Sequence, residues 1–272
     1  MGFIVGESVG QFDIVAYVGQ GGMATIFKAY QKNLDRYVAL KVIHPTLKND
    51  QSFVARLTRE AQIVGNLNHP NIVTVYDFIQ SESVPFLVLQ FIDGKTLKDV
   101  LQEHKLSTRE VFEILQPVAD ALTFAHAHGV LHRDVKPSNI MLDKEGHVYL
   151  TDFGLARVER SGESTMSHDM LIGSPQYLSP EQAKSETVDA RTDVYSLGIV
   201  LFEMFTGKPP FSAETPYATI MQQINDPPAA ARSINPDVPI AIEQVLARAL
   251  EKDPNKRYAS VRDFARAVEN AI

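Results

Sequence analysis

The apolar residues of this chain change their spacing once, near Asp93-Gly94, and that change constrains the fold more than any composition figure does. Before it, Phe12-Ile14, Thr25-Ala29, Val38-Ile43, Ile72-Ile79 and Phe86-Phe91 are rich in β-branched and aromatic residues, which predicts strands. One helix interrupts them: in Ser52 to Leu67, Phe53, Leu57, Ala61 and Val64 recur at three and four, and Asn68-His69-Pro70 closes the segment. Beyond Gly94 the pattern is helical, opening with the capping box Ser107-Thr108-Arg109-Glu110 ahead of Val111, Ile114, Leu115, Val118 and Leu122. Short strands at Ile140-Leu142 and Val148-Thr151 precede predicted helices over Val194-Thr206, Tyr217-Asn225, Ile240-Leu250 and Val261-Asn270. Two lobes are expected, with 272 residues and 44% hydrophobic content enough for a substantial core.

Within the strand-rich part, two charged residues stand where apolar ones belong. Glu60, three after Leu57 and four before Val64, lies on the inward stripe of its helix, where an unpaired carboxylate is costly and a cation should meet it. Lys41 ends the apolar run Val38-Ala39-Leu40-Lys41 and is the obvious partner; alone it also reads as an edge-strand lysine reaching solvent. Gly19-Gln20-Gly21-Gly22-Met23-Ala24 lies between two predicted strands, where glycines let backbone N–H groups approach a phosphate. In isolation a plain glycine hairpin explains it equally well. It is no Walker loop, because no Gly-Lys-Ser/Thr follows and no helix opens there.

The segment that decides between these readings is His132-Arg133-Asp134-Val135-Lys136-Pro137-Ser138-Asn139, followed after a short hairpin by Asp152-Phe153-Gly154. Asp134 can accept a hydroxyl proton, Lys136 can meet transferring phosphate charge, and Asn139 with Asp152 offers hard oxygen ligands for Mg2+. A solvated polar turn holds any one of these functions; it rarely holds all four at this spacing. Composition agrees by exclusion. The net charge of -7 argues against nucleic acid as a partner, and the lack of cysteine removes disulfides, thiolate zinc sites and cysteine nucleophiles.

These residues resemble the protein kinase signature set, and Gly21-Gly22-Met23 with Ser179-Pro180-Glu181-Gln182-Ala183 is most similar to bacterial receptor-type (Hanks-type) serine/threonine kinases. The resemblance implies an α+β, bilobal protein kinase fold over residues 1–272: a small antiparallel-sheet N-lobe of about 12–93 with one key helix, and a larger, mainly helical C-lobe of about 94–272. It implies transfer of the γ-phosphate of ATP to serine or threonine of protein substrates, with Mg2+ (Mn2+ as a substitute). Lys41, paired with Glu60, would hold the α- and β-phosphates; Asp134 would orient the acceptor hydroxyl beside Lys136; Asn139 and Asp152 would bind the metal. Val18, Gly19, Gln20, Gly21, Gly22, Met23, Ala24, Thr25 and Ile26 would line the nucleotide. Ala39 and Ile26 above and Met141 below would sandwich adenine, its edge meeting backbone groups of Gln90 and Ile92, with Leu89 as gatekeeper. Val64, Val75, His132 and Phe153 would form a hydrophobic column, Glu181 would pair with Arg257, and Asp193 would anchor the catalytic loop.

Departures from the family pattern are Ala24 for a third glycine, Ser174 where threonine is commoner, and Gln90 where the hinge often holds glutamate. None removes a catalytic group. Between Asp152 and Glu181 the polar stretch Ser161 to Ser167 reads either as a plain solvated loop or as a switch, in which phosphate added at Thr165 or Ser167 would pair with Arg133, and with Arg157, and order the loop. Two other functions fit the same fold. A pseudokinase would bind nucleotide without turnover, and usually lacks one of the catalytic groups present here; a small-molecule phosphotransferase would lack a polypeptide platform such as the one ending in Ser179-Pro180-Glu181. The start of the chain lacks a signal peptide and no apolar stretch spans a bilayer, so a cytoplasmic domain is expected; the resemblance alone implies a parent protein with a membrane anchor. Homodimerisation through the N-lobe is implied by the family alone.

Overall fold

In a computed structural model, the described residues are 3–21, 24–44, 51–80, 84–153 and 175–272, with backbone alone for 51–53 and 56. The chain divides into two compact units, one formed by Met1–Asn68 with Ile72–Asp93 and the other by His69–Asn71 with Gly94–Ile272.

The first unit is a six-stranded sheet of β1 (Ser8–Val9), β2 (Phe12–Gln20), β3 (Ala24–Gln31), β4 (Arg36–Ile43), β5 (Val75–Ile79) and β6 (Phe86–Gln90) in the order β1-β2-β3-β4-β6-β5. Every neighbouring pair is antiparallel. Helix α1 (Gln51–Gly65) packs against β5, burying Leu57, Ala61 and Val64 along the expected stripe. Alternation assigns the sheet two faces. Phe12, Ile14, Phe27, Ala29, Val38, Leu40, Val42, Phe86 and Val88 form one continuous apolar cluster, while Ile26, Ala39 and Lys41 are the intervening residues that point the other way.

The second unit holds the small sheet β7 (Gly94–Thr96), β8 (Ile140–Asp143) and β9 (Val148–Leu150), and the helices α2 (Leu97–Glu103), α3 (Thr108–Ala127), α4 (Pro180–Ala183), α5 (Ala190–Thr206), α6 (Pro216–Asn225), α7 (Ala231–Ile234), α8 (Ile240–Ala249) and α9 (Val261–Glu269). The Ser107 box caps α3 as expected, its hydroxyl accepting from Glu110 N while the Glu110 carboxylate accepts from Ser107 N. Helix α5 is buried on almost every side and packs against α3, α8 and α9. At Gly198 a methyl group would lie 3.0 Å from Ala249 Cβ, so the glycine sets how closely α5 and α8 approach. No helix among the described residues is long and apolar enough to cross a membrane.

The elements agree with the α+β expectation, and the boundaries move for identifiable reasons. The strand expected from Ile72 begins at Val75, because Asn71 is engaged by β9: its amide donates to Val148 O at 2.9 Å and its carbonyl accepts from Leu150 N at 2.8 Å. Helix α5 begins four residues before Val194, where Asp189 caps the polar turn Arg191-Thr192-Asp193 by accepting from Arg191 N. Apolar periodicity cannot register such a turn.

Gly94 opens strand β7, and a Cβ there would lie 1.9 Å from Leu142 O. Gly94→Ala should therefore force β7 off β8 and lower stability by about 1–3 kcal/mol, read as a fall in Tm. Gly19→Ala, whose added methyl meets nothing within 4 Å, is the control expected to leave Tm in place.

Candidate active site

The centre of the second unit's polar site is a carboxylate on α5. Asp193, fully buried, accepts from His132 N at 2.9 Å, Arg133 N at 2.7 Å and His126 Nε2 at 2.7 Å. Burial pushes the Asp193 carboxyl up, but the bond and charge of His126, with the contribution of His132, outweigh it and hold the group below the ordinary carboxylate range. Two successive N–H groups aimed at one carboxylate require an abrupt turn of the chain. Arg133 supplies it with φ of 66°, a left-handed conformation that a non-glycine residue keeps only under constraint.

His132 carries that constraint outward. Its ring is buried, Nε2 lies 2.9 Å from Thr151 O, and Nδ1 lies 3.2 Å from Asp134 N. One nitrogen must donate and the other accept, so the ring is the neutral Nε2–H form. Burial pushes its pKa down against the opposing carboxylates of Asp193 and Asp134. The ring packs on Phe153 with centroids 4.6 Å apart. Thus His132 ties the residue before Asp152 to the backbone of Asp134. Asp152 itself has φ of 67°.

Around Asp134 the side chains converge. Lys136 Nζ is 2.7 Å from Asp134 Oδ2, and Asn139 Nδ2 donates to the same oxygen at 3.0 Å and to Asp134 O at 2.9 Å. Asn139 sits at the end of the short helical turn Pro137–Asn139, and its carbonyl accepts from Thr151 N at 2.9 Å. Because Ile140 pairs with Leu150 in the β8–β9 ladder, the hairpin returns the chain so that Asp152 follows directly after the residue facing Asn139. Asp134, Lys136 and Asn139 are thereby brought together by contact, and Asp152 is set beside them by register. Met141, one position further on in β8, pairs with Thr96 and Tyr149.

In the first unit, cross-strand register groups the residues expected to meet a nucleotide. Ile26 faces Gly19 and Lys41, Lys41 faces Leu87, Ala39 faces Lys28 and Leu89, and Thr25 faces Gln20 and Val42. Lys41 is buried, so it is no solvent-reaching edge lysine, and Glu60 is half-buried on α1. Val18 and Gln20 are exposed, Gly21 N closes the hairpin by donating to Ala24 O at 2.8 Å, and Ala24 is buried. Gln90 N donates to Thr74 O at 2.9 Å and its side-chain oxygen accepts from Thr74 N at 3.3 Å, which commits both to β5's approach; Ile92 is buried. Gly22, Met23, Arg157, Thr165, Ser167 and Ser174 lie outside the described residues.

Two supports went unread in the sequence. His126 looks like any helical histidine until α5 delivers Asp193 to it. Gln182 is legible as the fourth member of a capping box with Ser179, and its Nε2 also donates to Arg133 O at 2.9 Å, fixing the turn from the other side. One residue earlier, Glu181 receives both terminal nitrogens of buried Arg257 at 2.8 Å and the Thr192 hydroxyl at 2.7 Å. Burial raises the Glu181 carboxyl, but these donors bring it below its usual value.

These shifts set an acid response. His132 has a folded-state pKa below its unfolded value of about 6.5, so the stability it contributes is complete above that pH and is lost as pH falls below it. Asp193 and Glu181, both depressed, add a second loss below about pH 4. One proton taken up on unfolding gives a slope of about 1.4 kcal/mol per pH unit. His132→Phe should flatten Tm against pH between about pH 6.5 and 5 and leave the lower limb; an unchanged upper limb would mean His132 is not buried neutral.

The profile of the protein kinase domain family matches residues 12–268. Serine/threonine-protein kinase PknB of Mycolicibacterium smegmatis is 41% identical over 93% of this chain and 42% of its own length. Serine/threonine-protein kinase PrkC of Bacillus subtilis is 35% identical over 99% of the chain and 42% of its own length. The chain thus spans about two fifths of these relatives. The crystal structure of the Mycobacterium tuberculosis PknI kinase domain superposes with a TM-score of 0.78 at 28% identity, covering 99% of each chain. Members of this family use ATP and a divalent metal. With its matched span, its α+β elements and the ordered loop around Asp134, this chain belongs to the protein kinase domain family, among relatives that are bacterial serine/threonine kinases.

Proposed function

We propose that this chain transfers the γ-phosphate of ATP to serine or threonine hydroxyls of proteins, with Mg2+ (or Mn2+) as the metal. The observation that carries this reading is the convergence of Lys136 Nζ and Asn139 Nδ2 on one Asp134 carboxylate oxygen, at 2.7 and 3.0 Å. A carboxylate so aimed can take the acceptor's proton through its other oxygen while that hydroxyl oxygen forms its bond to the γ-phosphorus and the bond to the β-bridging oxygen breaks. Lys136 meets the charge on the moving phosphoryl group, and Lys41, positioned with Glu60, holds the α- and β-phosphates.

The residues fit the metal and the nucleotide. With Nδ2 engaged by Asp134, Asn139 has its amide oxygen to offer, and with the Asp152 carboxylate this makes a hard-oxygen donor set suited to Mg2+. Among the described residues no atom lies within 4 Å of where a Cβ at Gly19 would stand, which leaves room on the β2 side of the hairpin for phosphates to approach. When bound, the metal neutralises phosphate charge. Within this reading, Val18 to Ile26, Ala39, Gln90, Ile92 and Met141 serve the nucleotide, the Gln90 carbonyl rather than its N–H meeting adenine. Autophosphorylation at Thr165 or Ser167 is read by Arg133. Cytoplasmic placement of the domain in a membrane-anchored parent, and homodimerisation through the first unit, belong to the same proposal by analogy.

Asp134→Asn keeps the size of the side chain and removes the proton acceptor, so phosphate transfer from labelled ATP to a generic protein substrate should fall by about 10²–10⁴-fold with little change in Tm. Lys41→Met should abolish turnover likewise. Undiminished transfer by Asp134→Asn would rule out the proposed base.

A further inference from the structure

The backbone of Pro175–Tyr177, just before the Ser179 capping box, is held by its carbonyl oxygens, beside the bond that the Tyr177 hydroxyl donates to Glu203 Oε2 at 2.5 Å. Gln223 of α6, fully buried, donates from Nε2 to Gln176 O at 2.5 Å and Pro175 O at 3.3 Å, and Ser196 Oγ of α5 donates to Tyr177 O at 2.8 Å. Three successive carbonyls are therefore taken by side chains of two helices. Gln223 is itself oriented: Tyr195 O–H donates to its Oε1 at 2.6 Å. Behind Tyr195 stands Lys252. Its ammonium reaches Tyr195 Oη at 3.2 Å, Gln222 O at 3.3 Å and Gln223 O at 2.8 Å, and sits 4.0 Å over the ring of Phe211.

The three donors of the ammonium thus face three acceptors, two of them carbonyls in the last turn of α6, where a cation also favours the helix dipole. Burial pushes Lys252 down to about 8, opposed by the nearby Asp226, so at pH 7 the group is still largely protonated. Because Lys252 donates to the same hydroxyl that donates onward to Gln223, each bond polarises the next. None of these residues touches Asp134 or its neighbours in the contacts above.

We infer that Lys252 is a positioning residue for the polypeptide acceptor: through Tyr195 and Gln223 it fixes the backbone of 175–177, the stretch that leads into the acceptor platform. The inference rests on the kinase reading for its link to an acceptor, and on geometry alone for its link to the segment. A purely structural role, capping α6 and packing on Phe211, would lower Tm and leave the segment unchanged.

The test uses Lys252→Met, which keeps the stem over Phe211 and removes the donors, and Tyr195→Phe, which cuts the link while keeping the ring. At pH 7, both should raise backbone amide exchange across 176–178 and raise KM for a protein acceptor roughly three- to tenfold, with the Kd for ATP unchanged and the double variant less than additive. Unchanged exchange at 176–178 in both folded variants would overturn the inference whether or not the chain is active. Raised exchange with an unaltered acceptor KM would overturn the acceptor role. If wild type transfers no phosphate to any protein, the kinase reading fails and the acceptor role with it, while the exchange measurement still decides whether Lys252 holds the segment.

Discussion

A single buried carboxylate organises the second unit. Asp193 lies within an apolar helix, where an ion without partners would be expelled or protonated, and it stays charged because His132 N, Arg133 N and His126 Nε2 all donate to it. The same bonds that stabilise the ion bend the chain at Arg133 into a conformation it would not otherwise hold. From that bend the remaining geometry follows: His132 is turned inward to bridge Thr151 and Asp134, Gln182 takes the Arg133 carbonyl, and Asp134 is presented to Lys136 and Asn139. Strain at the loop and satisfaction of the buried charge are one arrangement seen from two ends.

A second buried ion pair, Glu181 with Arg257, does a different task. Its bidentate geometry is supplemented by three backbone carbonyls, Glu251 O, Arg191 O and Lys252 O, on the remaining guanidinium donors. With every donor placed, the pair is a junction between the start of α4 and the turn before α9 rather than a source of net stability. Lys252 O on one side and Lys252 Nζ on the other connect this junction to the network that reaches Pro175. The segment 175–177 and the loop around Asp134 are therefore anchored to the same helix, α5, through different residues.

Much of this was legible in the residues. The inward stripe of α1, the Ser107 box and the alternation that puts Lys41, Ala39 and Ile26 on the face opposite the apolar cluster all follow from periods of 3.6 and 2, which sequence displays directly. The convergence of Asp134, Lys136 and Asn139 was legible because these polar residues lie within eight positions of one another, and one hairpin returns the chain to Asp152. What escaped had long-range causes. Asn71 shortens β5 by bonding to β9 some 77 residues away, Gly94 is dictated by the approach of Leu142 O, and the roles of His126 and Lys252 exist only once α5 and α6 are in place. The polar first turn of α5 was missed because its residues face partners, not an apolar core.

In the proposed function this chain is a competent protein phosphotransferase whose activity feeds back on its own loop. The most direct measurement is mass spectrometry of the intact chain and its peptides after incubation with Mg-ATP. Active transfer should give phosphoryl increments on serine or threonine, among them Thr165 or Ser167, appearing faster at higher chain concentration. A chain that binds nucleotide yet returns unmodified, and leaves every protein acceptor unmodified, would contradict it.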